Sequence, residues 1–406
     1  MTQPETPATA NADGASASTS EGSNAQDEAP ATEVRVQLFA RTDVGQVREH
    51  NEDNFLVADL SRRSRGLLEA NRATVIGQQG AVFAVCDGMG GAAAGEIASQ
   101  LAVDIIYERL VDGLGDQPIK RDDLARRLVR AVESAGLRIF HEAKADRSRR
   151  GMGTTVTAAA LVDEVLFFAQ VGDSRGYILR GDTLVQLTRD QSLVNQLIEA
   201  GQLTEEEAET FEHNNIILQA LGTSDTVQVD LTYAEVRQGD ILLLCSDGLS
   251  GMVRFEDIRE TLRSGAEPLD ICKALTERAN QAGGHDNITV IIVQFDGPSL
   301  KPSDTEGEPL KYRKYALADD AMDEKTASMP AVTDPLATTD TTADGVTRSA
   351  STAPTGSHDA SALDGDHDYD RVDIPGTHVP VWMVIGIVAG VVVLLAGTAF
   401  LLFRLP

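Results

Sequence analysis

Aspartates recur at the ends of apolar runs in this chain, each beside a glycine or an asparagine. AVFAVC runs into Asp87-Gly88, VLFFAQVG into Asp173 and ILLLCS into Asp247-Gly248, while Asp286-Asn287 opens ITVIIVQF. Taken singly, such pairs are ordinary turn chemistry. Joined by Arg48, Glu52 and Asp53 in the run Arg48-Glu49-His50-Asn51-Glu52-Asp53, they form a set of oxygen donors with no matching Cys or His pairs. Carboxylates crowded at one end of a sheet repel one another unless a cation neutralises them. An all-oxygen set suits Mg²⁺ or Mn²⁺ rather than structural zinc. The chemistry expected is therefore that of a divalent metal site held at rigid strand ends.

The elements that must position these residues are legible as two periodicities. Strand-like runs start near Val34, Asn54, Ala81, Thr155, Val165, Tyr177, Ile241 and Ile288, and many are β-branched and almost continuously apolar, which marks central strands. Two stretches have helical spacing: Gly95 to Leu114, with Ile97, Leu101, Ile105 and Leu110 on one stripe, and Arg121 to Ala145, with Leu124, Leu128, Val132 and Ile139. Shorter helices are expected at 190–201, 204–213, 255–263 and 268–282. Strands joined by short turns, with helices gathered between groups, favour an α+β fold of antiparallel sheets covered by helices.

The same residues give the chain its resemblance to a known family. Arg48-x-x-Asn51-Glu52-Asp53, Val85-Cys86-Asp87-Gly88-Met89-Gly90-Gly91, Gly151-Met152-Gly153-Thr154-Thr155, Val171-Gly172-Asp173-Ser174-Arg175, Ser246-Asp247-Gly248-Leu249 and Gly284-His285-Asp286-Asn287 follow one another in the family's order. Over roughly residues 34–296 the chain resembles the bacterial form of the type 2C metal-dependent protein phosphatases. The resemblance implies a β-sandwich of two antiparallel sheets flanked by helices, with metals in a cleft at one end. It implies that Asp87 bridges two ions, that Gly88 offers its carbonyl to one, and that Asp247 and Asp286 complete the first. Glu52 and Asp53 then hold metal-bound waters, Asp53 within the catalytic set, and Asp173 with Asp247 holds a third, weaker ion.

Arg48 is expected to grip the substrate phosphate through paired, charge-assisted hydrogen bonds that lysine cannot reproduce. The reaction implied is in-line attack on a phosphoserine or phosphothreonine by water activated between two cations. Many eukaryotic relatives carry His after the Asp-Gly, where it can protonate the leaving oxygen; this chain has Met89, and a thioether cannot be a general acid. Water near the third ion, or a histidine such as His50, is expected to take that role. Residues 188–223 resemble the family's flap beside the cleft, or are an ordinary surface helix pair in which His213 caps or packs. A catalytically silent scaffold that binds phosphoproteins should have lost one of Asp87, Asp173, Asp247 or Asp286, and all are present. Cys272 and Arg278 have the spacing of a cysteine phosphatase, but KALTE between them consists of helix formers rather than a glycine-rich loop.

Composition bounds the rest. A net charge of -28 over 406 residues excludes a nucleic-acid binder, which needs clustered Lys and Arg. Residues 1–32 and 298–378 are poor in apolar residues and are expected to be a disordered arm and a solvated acidic linker around a domain at 33–297. Three cysteines, with Cys86 and Cys245 inside apolar runs, fit a reducing compartment. The uncharged run 379–403 is long enough to cross a bilayer, with Trp382 at an interface and a short tail at 404–406. With no basic, apolar leader at the start, the expected topology is a single-pass membrane protein with its domain in the cytoplasm. Gly386 and Gly390 have the spacing of a helix dimer seam, although glycine is common in such spans. The expected partners are phosphoprotein substrates, among them a membrane serine/threonine kinase.

Overall fold

The structure, a computed structural model, describes residues 33–66, 73–90, 94–204, 207–208, 211, 215–303 and 309–317. The expected arm 1–32, most of the expected linker 298–378, the run 379–403 with Trp382, Gly386 and Gly390, the tail 404–406, and His213 with most of the helix expected at 204–213 lie outside the described residues. Among the described residues no helix is long and apolar enough to cross a membrane.

Two six-stranded sheets form a sandwich in which all the strand pairs are antiparallel. In spatial order the first contains Thr183–Gln186, Arg175–Arg180, Ile241–Cys245, Ile288–Asp296, Val34–Asp43 and Thr74–Ile76; the second contains Asp230–Glu235, Val165–Val171, Val156–Val162, Ala81–Cys86, Asn54–Asp59 and Ser64–Arg65. Every apolar run expected as a strand is one, and none lies at a sheet edge. The edges are the short or mixed strands that the sequence pattern passed over.

The inner strands read as unbroken apolar runs because both faces are covered. Between the sheets lie Val36, Phe83, Val85, Phe168, Ile178, Leu244 and Ile291. Helices Ala94–Val111 and Arg121–Ala145 cover the outer face of the second sheet, and Phe255–Leu262 with Pro268–Gln281 cover that of the first. Each fully buried large aliphatic or aromatic side chain contributes about 1.5–3 kcal/mol, so the paired layers hold the sheet ends rigidly.

Two expectations need correction. In Ala94–Val111 the buried stripe is Ala94, Ala98, Ala102, Val103, Ile106 and Leu110, while Ile97, Leu101 and Ile105 flank it half-buried. Small residues on that face let the helix lie close to its neighbours, which a count of large apolar residues does not register. The solvated linker also does not start at 298: Leu300 is buried, Leu310 packs against the inter-sheet core, and Tyr315 and Leu317 pack against the outer one. A few apolar side chains in a polar stretch supply those contacts, and averaging the composition hid them.

Antiparallel pairing explains why the chemical residues meet. Asn54 lies opposite Cys86, Asp43 opposite Ile288, and Cys245 opposite both Arg175 and Val290. The end of one strand therefore sits beside the start of the next, and Asp87, Asp247, Asp286 and the Arg48–Asp53 loop share one end of the sandwich. Two glycines permit the close approach. A Cβ on Gly88 would collide with the carbonyl oxygens of Glu52 and Gly95, and one on Gly248 with that of Asn287. Gly248→Ala should cost about 1–3 kcal/mol as an overpacked site and lower the calorimetric melting temperature by several degrees. Gly115→Ala, where a Cβ meets nothing within 4 Å, should leave melting within about 0.5 kcal/mol of the parent. Equal losses in the two variants would contradict the close-approach explanation.

Candidate metal centre

Asp87 follows the Ala81–Cys86 strand and is fixed by its backbone. Its N–H donates to Thr155 Oγ1 at 3.1 Å, and its carbonyl accepts from Thr155 N at 2.8 Å and Thr154 Oγ1 at 2.8 Å. Gly88 then pairs with Thr154 in a two-stranded ribbon with Met89 opposite Gly153. Asp247 opens the one-turn helix Asp247–Ser250 directly after its strand. The Asp87 and Asp247 carboxyls lie close enough to influence each other's ionisation. Burial pushes the Asp87 carboxyl well above the usual range, and Asp53, Asp247 and Asp173 push it further.

Asp53 ties the two sheets together at the same end. Its Oδ2 accepts from Ser246 Oγ at 2.8 Å and Thr289 Oγ1 at 2.7 Å, both on strands of the opposite sheet or directly beside them. Burial raises its carboxyl to about 7 with help from Asp247 and Asp286, against the pull of the two hydroxyls. Asp173 is also pushed up to about 7, first by burial and then by Asp247 and Asp190, with Arg175 opposing. Glu52 is raised by burial and by Asp286 and Glu96, while Arg48 and His50 work the other way.

Arg48 stands at the mouth with half of its side chain exposed, and its guanidinium donates to Asp286 Oδ2 at 2.7 Å. Partial burial works against its charge, but Asp286, Glu52 and Asp87 more than offset this. The residues expected from sequence are thus brought together: Arg48, Glu52, Asp53, Asp87, Gly88, Asp173, Asp247 and Asp286 all occupy this one end, linked by hydrogen bonds or mutual repulsion. They do not form a closed cage. Among the described residues no three acidic, histidine or cysteine side chains converge in chelating geometry, and Asp286 is turned to Arg48.

The donor set nevertheless fits a hard divalent ion. Asp53 Oδ1, Asp173 Oδ1 and Asp247 Oδ1 are buried without a hydrogen-bond partner. A buried carboxylate oxygen left so is costly, and a cation shared with carbonyl and water oxygens would satisfy it.

Several supporting residues were not assigned roles by sequence reasoning. Asn287 staples the Arg48 loop: its Nδ2 donates to Val44 O and His50 O, both at 3.0 Å, and its Oδ1 accepts from Glu52 N at 2.7 Å. Ser99 Oγ donates to Glu52 O at 2.6 Å. Half-buried Arg175 pairs with Asp190 at 2.6 Å. Asn287, Ser246 and Arg175 lie inside the motifs, where a polar residue flanking a strand end was the available signal; Ser99 on its helix gave none.

Comparison with known proteins agrees with the geometry. A family profile described as Protein phosphatase 2C matches residues 61–287, more than half of the chain. The chain is 37% identical over 257 residues to the serine/threonine phosphatase stp of Listeria welshimeri, covering 63% of this chain and 94% of that protein. It is 38% identical over 261 residues to the protein phosphatase PhpP of Streptococcus pneumoniae, covering 64% of this chain and 98% of that one. A solved structure of the catalytic domain of the serine threonine protein phosphatase PstP in complex with two manganese ions superposes with a TM-score of 0.53 at 35% identity, covering 65% of this chain and all of that one. By profile, sequence and fold, the chain belongs to the protein phosphatase 2C family.

Proposed function

We propose that this protein hydrolyses phosphoserine and phosphothreonine in other proteins with Mn²⁺ or Mg²⁺, anchored through residues 379–403 at the cytoplasmic face of a membrane, where it opposes a serine/threonine kinase. The observation that carries the catalytic part is the set of partnerless, buried carboxylate oxygens on Asp53, Asp173 and Asp247, with Arg48 at their mouth. The two manganese ions in the related PstP structure support the choice of cation. The membrane part is supported by the uncharged run 379–403 alone.

In this reading Asp87, Gly88, Asp247 and Asp286 would hold the core ions, Glu52 and Asp53 would orient water beside them, and Asp173 with Asp247 would hold a third ion. Bound cations would neutralise charge developing on phosphorus and acidify the attacking water. The chain's own residues do the rest. Arg48 exchanges Asp286 for two oxygens of the phosphate, a fork-shaped contact that orients phosphorus in line with the attack. Asp53, gripped by Ser246 and Thr289, fixes the nucleophile's side of the site.

Met89 lies half-buried on its ribbon and has no proton to give. His50 is exposed and near enough to Glu52 to stabilise its negative charge, so it is one source of the leaving group's proton; water held at Asp173 is the other. His50→Gln and Asp173→Asn should separate them in a pH-rate profile. The variant that removes the donor lowers kcat and flattens the alkaline limb, and two unaltered profiles would exclude both.

Phosphate release from a phosphothreonine peptide should require Mn²⁺ or Mg²⁺, stop in excess chelator, and fall at least about a hundredfold in Asp247→Asn, since each ion stabilises the transition state by several kcal/mol. Arg48→Lys should raise KM roughly tenfold through loss of the paired charged hydrogen bonds. A folded, metal-loaded protein inert on several phosphopeptides would instead support a silent phosphoprotein-binding scaffold.

A further inference from the structure

Residues 309–317, PLKYRKYAL, lie outside the span matched to the family, 61–287, yet they are bound into the domain. They pair with Asp230–Glu235, an edge strand of the second sheet. Thr232 and Lys314 form an antiparallel bridge, Tyr233 N donates to Arg313 O at 3.2 Å, and Tyr315 N donates to Leu231 O at 2.8 Å. Side chains hold this strap on both sides. The Tyr315 ring packs edge-on against Phe167 and Tyr233 with centroids at 4.9 and 5.3 Å, and the Arg313 guanidinium lies 4.6 Å from the centroid of the Tyr233 ring. Tyr312 Oη donates to Asp230 Oδ2 at 2.6 Å, and Lys314 Nζ lies 3.1 Å from Asp230 Oδ1.

The strap also touches the segment beside the metal centre. The Arg189 guanidinium stacks over the Tyr312 ring at 4.0 Å and reaches Glu199, 3.3 Å away, at the end of helix Leu193–Glu199. That ion pair is about half-exposed, and exposed pairs of this kind hold a side chain weakly. The aromatic face, itself fixed by Asp230, is the firmer support. The segment carrying this helix is fastened at both ends to residues that adjoin the expected metal ligands. Gln191 N donates to Gly172 O at 2.8 Å, next to Asp173. Leu221 and Thr154 exchange backbone hydrogen bonds at 2.8 and 3.1 Å, and Thr154 Oγ1 donates to Asp87 O.

We propose that Tyr312 is a positioning residue for the Leu193–Glu199 helix on the rim of the site, so that the 309–317 strap sets how tightly phosphoprotein substrates are held. This rests on the phosphatase reading above and adds a determinant that the family-matched span does not contain. A phosphopeptide long enough to lie on the rim meets the braced helix. A small aryl phosphate needs only Arg48 and the carboxylate cluster, so the strap is irrelevant to it.

The test is steady-state kinetics of the full chain with saturating Mn²⁺, on a phosphothreonine peptide and on p-nitrophenyl phosphate. Tyr312→Ala should raise the peptide KM roughly two- to fivefold, the factor given by losing a cation–π contact of usual size. Its kcat, and both constants for p-nitrophenyl phosphate, should stay at the parent values. Tyr312→Phe keeps the ring under Arg189 but loses its bond to Asp230, and should recover most of the peptide KM. Arg189→Ala should reproduce Tyr312→Ala, with no further loss in the double variant. A Tyr312→Ala peptide KM equal to the parent's, or parallel losses on both substrates, would overturn the proposal and leave the phosphatase reading standing. No metal-dependent hydrolysis by the parent chain would overturn both.

Discussion

Mutual repulsion among carboxyl groups at one end of the sandwich is the constraint on which the rest of this structure depends. Asp53 and Asp173 are buried, Asp87 and Asp247 half-buried, all within each other's influence, and the loss of water around them raises the cost of ionising any of them. Such a cluster persists only if the backbone beneath it cannot move away. Two antiparallel sheets, each sandwiched between the shared core and a helix layer, provide that rigidity. Antiparallel pairing also delivers the residues from strand starts and strand ends to the same place. Asp53 completes the frame by accepting hydroxyl hydrogen bonds from across the sandwich. The scaffold cannot relax away from the cost of ionising these groups together, and a divalent cation is the economical way to relieve it.

That arrangement also explains why so much could be read without a structure. A strand buried on both faces leaves an unbroken β-branched run, and an aspartate at its end interrupts that run visibly. Val165–Val171 leading to Asp173 and Ile241–Cys245 leading to Asp247 are of this kind. What escaped had weak apolar signal. Ala98 and Ala102, rather than Ile97 and Leu101, are fully buried on their helix, because close packing favours small side chains. The edge strands Thr183–Gln186 and Asp230–Glu235 mix polar with apolar residues and are only partly buried, so neither gives an unbroken apolar run. Ser99 and Asn287 act through side-chain hydrogen bonds to backbone, which no periodicity records.

The C-terminal boundary shows the same lesson from the other side. Low average hydrophobicity placed a linker from residue 298, yet Leu300, Leu310, Tyr315 and Leu317 each find an apolar neighbour. Tyr312, Arg313 and Lys314 add stacking and ionic contacts on an edge that would otherwise present unpaired backbone groups. The strap thus joins the catalytic domain to the sequence leading toward the proposed anchor, and through Arg189 it meets the segment beside the site. Substrate binding and attachment thereby share a physical element in the account proposed above.

On the metal-centre reading, the cluster keeps protons until a cation replaces them. Carboxyls raised to about 7, as at Asp53 and Asp173, are largely protonated at about pH 6, so they must lose protons to bind a divalent ion. Titration calorimetry of Mn²⁺ into the chelator-treated protein at that pH, in buffers of different ionisation enthalpy, counts those protons. Net proton release is expected on Mn²⁺ binding, with less released by Asp173→Asn. Tight Mn²⁺ binding with no proton release, or no Mn²⁺ binding at all by the folded protein, would contradict that reading.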